Sequence, residues 1–81
     1  MKLDAFKALH LYRQTEHLRS HGHLLAERRQ DSFRLRLFAL GDFYAEEWRV
    51  WDEERVLFIH LFQHPVGLRD YLELIRLPKE F

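Results

Sequence analysis

Six histidines stand in this chain of 81 residues, and His17, His21 and His23 lie close enough together to raise the question of a metal site. One helical turn separates His17 from His21, a spacing that can hold zinc or nickel. A dedicated site would add a carboxylate or thiolate at a fixed position and a second shell of partners, and the sequence supplies no such position. Cysteine is absent, which removes thiolate zinc sites, thiol catalysis and disulfides. The three histidines therefore read as a solvated helix face with adventitious metal affinity, and neither a metal nor a cofactor is expected. His60 and His64 bracket the end of an apolar run, where an imidazole can tune an interface with pH.

The carboxylates offer little more. Glu46 and Glu47 are adjacent, so on a strand they point to opposite faces and cannot work as a pair, and Asp52-Glu53-Glu54 reads as a solvated turn. There is no Gly-rich phosphate loop, no nucleophile elbow and no His-Glu-x-x-His pattern. The expectation is a protein that is not an enzyme.

The elements that would position these residues follow from periodicity. From Leu3 to Arg19, residues Ala5, Ala8, Leu9, Leu11, Tyr12, Thr15 and Leu18 share one side of a helical wheel, and Lys7, His10, Gln14, His17 and His21 the other. Gly22 is placed to close this helix in the left-handed conformation. His23 to Arg29 reads as a strand before the turn Gln30-Asp31-Ser32. Phe33 to Leu40 alternates through Phe33-Arg34-Leu35-Arg36-Leu37, and Gly41-Asp42 suits a Gly-first hairpin turn. Pairing Leu40 with Phe43 across it aligns Leu35 with Trp48, Phe33 with Val50 and Arg36 with Glu47. A further run, Val56 to Phe62, returns so that Leu57 opposes Val50 and Ile59 opposes Trp48. Pro65 opens a second amphipathic helix carrying Leu68, Tyr71, Leu72, Leu74 and Ile75 on one face, which Pro78 ends.

This is an α+β chain forming a single domain over residues 1–81: an N-terminal helix, a four-stranded antiparallel meander and a C-terminal helix, with both helices expected on one face of the sheet. That face collects Leu24, Ala26, Phe33, Leu35, Leu37, Trp48, Val50, Leu57, Ile59 and Leu61, with Glu46 as its one acid. The other collects Glu27, Arg34, Arg36, Phe38, Phe43, Glu47, Arg49, Trp51, Val56, Phe58, His60 and Phe62. Half aromatic and half charged, it is no plain solvent face, and a contiguous apolar patch of that kind marks an interaction site. If one helix instead lay on each face, the aromatics would be ordinary core.

At Phe43-Tyr44-Ala45-Glu46-Glu47-Trp48, with Leu25-Ala26-Glu27-Arg28 before it and Leu68-Arg69-Asp70-Tyr71-Leu72-Glu73-Leu74-Ile75 after it, the chain resembles a group of short bacterial proteins. These share a strand of the type F-Y-x-E-x-[WY] and an ending like L-x-x-Y-L-x-x-I. The resemblance implies a helix, four strands and a helix, and no activity. The His-rich first helix and Glu47 before Trp48 depart from it.

Composition bounds the partner. Thirteen Lys and Arg balance thirteen Asp and Glu, and the twelve aromatic residues make 15% of the chain. Residues 1–36 carry eight basic and four acidic side chains and the rest five and nine, so the halves are complementary in charge. No apolar run approaches the ~18 residues of a membrane span. No membrane partner is expected, and the cytoplasm is the expected compartment. The reading is a small protein-interaction module, a homodimer or the binder of another protein, with an interface of Arg34, Arg36, Phe38, Glu47, Arg49, Trp51, Phe58, His60 and Phe62. An inhibitor or antitoxin-like binder of a larger protein fits the same surface. Nucleic acid competes, since an aromatic sheet beside Arg34, Arg36 and Arg49 resembles a single-strand stacking platform. A neutral chain with Glu27 and Glu47 on that face has little charge to give to phosphates.

Overall fold

The computed structural model describes residues 1–64 together with Leu68, Arg69 and Tyr71. The elements are α1 (Leu3–Lys7), α2 (Leu11–His21), β1 (His23–Gln30), β2 (Phe33–Leu40), β3 (Phe43–Val50) and β4 (Val56–Phe62). The strands form one antiparallel sheet in the order β1-β2-β3-β4, so the class is α+β. The expected C-terminal helix from Pro65 to Leu77 lies outside the described residues, apart from Leu68, Arg69 and Tyr71.

The N-terminal segment is two helices and not one. His10 is extended, at φ −65° and ψ 155°, and this breaks the chain between α1 and α2. A break resets the phase of the wheel, so the expected apolar side is divided. Leu18 is buried and Leu9 partly so, whereas Ala5, Ala8, Leu11 and Tyr12 are exposed. Phe6 is fully buried, and Gln14 donates its Nε2 to the Phe6 carbonyl at 3.0 Å, which ties α2 to α1. Gly22 is extended at φ −75°, not left-handed. Its lack of a side chain serves close approach, since a Cβ there would sit 2.6 Å from the Leu18 carbonyl oxygen and 3.2 Å from Phe38 Cδ1.

The β2/β3 register has Leu40 opposite Phe43, Arg36 opposite Glu47, Leu35 opposite Trp48 and Phe33 opposite Val50. The β1/β2 and β2/β3 hairpins turn through a positive φ, at Asp31 (55°) and at Gly41 (62°), residue types that tolerate it well. Two register shifts depart from the expected pattern. An extra residue at Leu25 in β1 places Leu24 opposite Phe38, and an extra residue at Leu57 in β4 places Phe58 opposite Trp48 and Ile59 opposite Glu47. Because side chains alternate with period two, the second shift moves β4 to the opposite face from the one expected. The gain is visible in the cross-strand pairs. Trp48 stacks on Phe58 with centroids 5.2 Å apart, Tyr44 stacks on Phe62 at 5.3 Å, and His60 meets Glu46 at 3.6 Å.

The helices cover the other face than the one expected. Phe6 and Leu18 pack with Phe38, Leu40, Phe43 and Ala45, and Ile59 and Leu61 join them from β4. On the far face, Ala26 and Leu37 pack with Tyr71, and Leu25, Tyr44, Phe62 and Leu68 surround them. Both faces therefore carry apolar cover, from the N-terminal helices on one side and from Leu68 and Tyr71 on the other. Phe6 anchors the first core from a single turn of helix, so Phe6→Ala is expected to cost about 3 to 5 kcal/mol, a large part of the ~5 to 15 kcal/mol of such a domain. Urea unfolding at 25 °C measures it.

Candidate functional site

The nine expected interface residues divide between the two faces. Arg34, Arg36, Phe38, Glu47 and Arg49 lie on the helix side, where Phe38, Glu47 and Arg49 are buried. Phe58, His60 and Phe62 lie on the far face, and Trp51 is in the turn after β3. They do not form one surface.

On the helix side the charges answer one another. Arg49 Nε donates to Glu47 Oε1 at 2.9 Å, and its Nη1 reaches the Glu54 carbonyl at 3.1 Å and Glu54 Oε2 at 3.3 Å. Arg36 Nε lies 3.0 Å from Glu27 Oε1, a charge contact in which the N–H is not aimed at the oxygen, and its Nη1 lies 4.0 Å from Glu47. Arg36 also sits over the Phe38 ring at 5.5 Å. Two of the three arginines expected to meet phosphates are thus already neutralised. Arg34 is not.

The far face has a polar centre and an apolar flank. Glu46, only 7% exposed, accepts from the Tyr71 hydroxyl at 2.6 Å and from Trp48 Nε1 at 2.7 Å. Arg28 Nη2 lies 3.9 Å away, and the same guanidinium sits over the Tyr71 ring at 4.9 Å. A buried carboxylate is stable only when so surrounded. Loss of water on burial, then the hydrogen bond to and the charge of Glu46, push the Tyr71 phenol far above its ordinary value of about 10.

Beyond this centre, Phe33, Trp48 and Phe58 make an aromatic row across β2, β3 and β4, with Phe33 edge-on to Trp48 at 5.4 Å. Phe58 remains 47% exposed and Phe33 and Trp48 are half-buried. The row ends at β4, the outermost strand, whose seven residues Val56 to Phe62 include no Lys, Arg, Asp, Glu or Pro. Natural edges are commonly guarded by such residues, and among the described residues this strand carries none of them beside the half-exposed Phe58.

The candidate metal ligands do not assemble into a site. His17 and His21 stack at 4.5 Å on α2, beside a shallow cleft of about 450 Å³ shared with Arg13 and Glu16, while His23 begins β1. Partial burial, the neighbouring His21 and the N-terminal amine hold the His17 imidazole below its ordinary value. Among the described residues no three His, Cys, Asp or Glu side chains are placed to hold one ion. Nor is any described helix long and apolar enough to cross a membrane.

The sequence pattern sets Trp48 and Phe33 on the face expected to be covered by helices, and it offers Glu46 a Tyr hydroxyl or an Arg at the rim of the core without singling out Tyr71 or Arg28. The signal that identifies the aromatic row is the pairing itself: only one register of β4 gives Trp48, Tyr44 and Glu46 complementary partners at once. No family model matches the chain, and no curated protein or solved structure matches it significantly.

The Glu46 centre has a measurable signature. The folded state holds Tyr71 protonated more strongly than the unfolded chain does, so its contribution is complete below pH ~10 and is lost as pH rises beyond that. Tyr71→Phe should cost about 1 to 3 kcal/mol at neutral pH by leaving Glu46 short of a donor. It should also flatten the fall in stability above pH 10, as read by denaturant unfolding across pH 8 to 11.

Proposed function

We propose that this chain is a non-enzymatic protein-interaction module that self-associates through the outer edge of β4 and the aromatic row behind it. The observation that carries the reading is Phe58, a large apolar side chain almost half exposed at the middle of an unguarded edge strand and stacked on Trp48. The absence of any catalytic motif in the sequence supports the non-enzymatic part.

The edge is self-complementary. Antiparallel pairing of two β4 strands about a twofold axis at Ile59 sets Ile59 against itself, Phe58 against the partner's His60 and Leu57 against the partner's Leu61. No two like charges meet in that register. The row Phe33, Trp48, Phe58 then continues onto His60 and Glu46 of the second copy, and burial of each Phe-sized side chain contributes roughly 1.5 to 3 kcal/mol. An inhibitor or antitoxin-like binder would use the same edge to take a strand from a larger protein. Single-strand nucleic-acid binding on the helix side has less support, because Phe38 is buried there and Arg36 and Arg49 already face Glu27, Glu47 and Glu54.

Light scattering on the wild-type chain at tens of micromolar should give twice the chain mass. Phe58→Asp should remain folded by circular dichroism and weaken the dimer by about 30-fold or more, equivalent to about 2 kcal/mol. A wild-type chain that stays monomeric over that range overturns self-association.

A further inference from the structure

Three arginines occupy one row across the helix side of the sheet, Arg29 opposite Arg34 and Arg34 opposite Arg49. Like charges directly opposite each other destabilise a sheet, so such a row calls for anions. Arg49 has two, Glu47 and Glu54. Arg29 has none among the described residues. Its guanidinium lies 4.2 Å from the centre of the Trp51 ring and its Nε donates to the Asp31 carbonyl at 3.4 Å. Arg34 meets no carboxylate and makes no hydrogen bond among the described residues, and its Nε is closed off from solvent. That buried Nε cannot itself meet a ligand, so an anion entering the cleft is met by the two Nη groups of the same guanidinium.

A shallow cleft of about 300 Å³ opens at this point, lined by Glu27, Arg28, Arg29, Arg34 and Trp51. Two of its charges are engaged elsewhere, Glu27 with Arg36 and Arg28 with Glu46 and Tyr71. What the cleft presents to a ligand is the Arg34 fork, the Arg29 charge and an indole that is 45% exposed. We infer that this cleft binds a phosphate group carried on a flat ring, as in a mononucleotide. Arg34 takes the phosphate oxygens through its planar donors, Arg29 adds a second positive charge, and Trp51 offers the ring face that Arg29 leaves uncovered for the ligand ring to stack on. The volume lies at the lower end of ligand clefts, ~300 to 1,000 Å³, and suits one nucleotide. The site is at the β1/β2 corner, away from the β4 edge, and is independent of self-association.

Thermal unfolding at fixed ionic strength tests this, because a ligand that binds only the folded chain raises its melting temperature. Adenosine monophosphate should raise the Tm of the wild type saturably and more than inorganic phosphate does. Arg34→Gln should abolish both shifts beyond the general effect of excluded salts, and Trp51→Ala should erase only the advantage of the nucleotide. In chloride alone Arg34→Gln should melt no lower than the wild type, since it removes a like-charge contact. Arg34→Lys, which keeps the charge and loses the fork, should weaken the apparent affinity about tenfold and serves if the Gln variant does not fold. No saturable shift in the wild type, or an equal shift in the Arg34 variants, overturns the inference.

Discussion

A carboxylate set into the apolar face of a four-stranded sheet is the constraint around which this molecule is arranged. Glu46 sits beside Leu37 in the register and would be costly there without donors. Two donate to it, Trp48 from two residues along its own strand and Tyr71 from above, while Arg28 and His60 lie farther off at 3.9 and 3.6 Å on its flanks. Each contact fixes something else. The bond to Tyr71 decides which face that residue covers, and the bond to Trp48 sets the indole so that its plane lies against Phe58. The central ring of the aromatic row is thus held by the same buried acid.

The two faces of the sheet solve the problem of charge differently. On the far face a single acid is surrounded by neutral or singly charged donors at short range. On the helix side, Glu27, Arg36 and Glu47 alternate in one cross-strand row, while the next row, Arg29, Arg34 and Arg49, is all basic. Glu47 serves both rows, since it meets Arg49 at 2.9 Å and Arg36 at 4.0 Å. Such partly buried pairs are weak sources of net stability and strong determinants of register, because a slip by one residue would strand several charges together. A neutral overall composition therefore conceals a local excess at Arg34.

What the sequence made legible follows the strength of its local signals. The β2/β3 hairpin could be aligned residue by residue because Gly41-Asp42 fixes the turn and Phe33 to Leu37 alternates strictly. The β4 register could not. Val56 to Phe62 is apolar or aromatic at six of seven positions, so neither alternation nor charge distinguishes one pairing from the next, and the choice falls to packing between Trp48 and Phe58. Bulged residues leave no mark in an apolar run either, and Leu25 and Leu57 look like their neighbours. The break at His10 was hidden for a related reason: the wheel stays amphipathic across it, and only the burial of Phe6 beside Leu18 reveals the change of direction. Of the aromatic row, Phe33 and Trp48 are expected on one face and Phe58 on the other, and it is the β4 shift that brings the three together.

The placement of α1 and α2 also bears on how the chain comes to be folded. The meander joins neighbours in sequence, so its hairpins can close as soon as each turn exists, a route with low contact order. Phe6 and Leu18 have to wait, because their bed includes Ile59 and Leu61 at the other end of the sheet. During synthesis this segment precedes the sheet on which it docks, and until β4 has emerged its apolar side lacks part of its bed. The brevity of α1 and the polar character of α2 limit how sticky that waiting segment is on the ribosome.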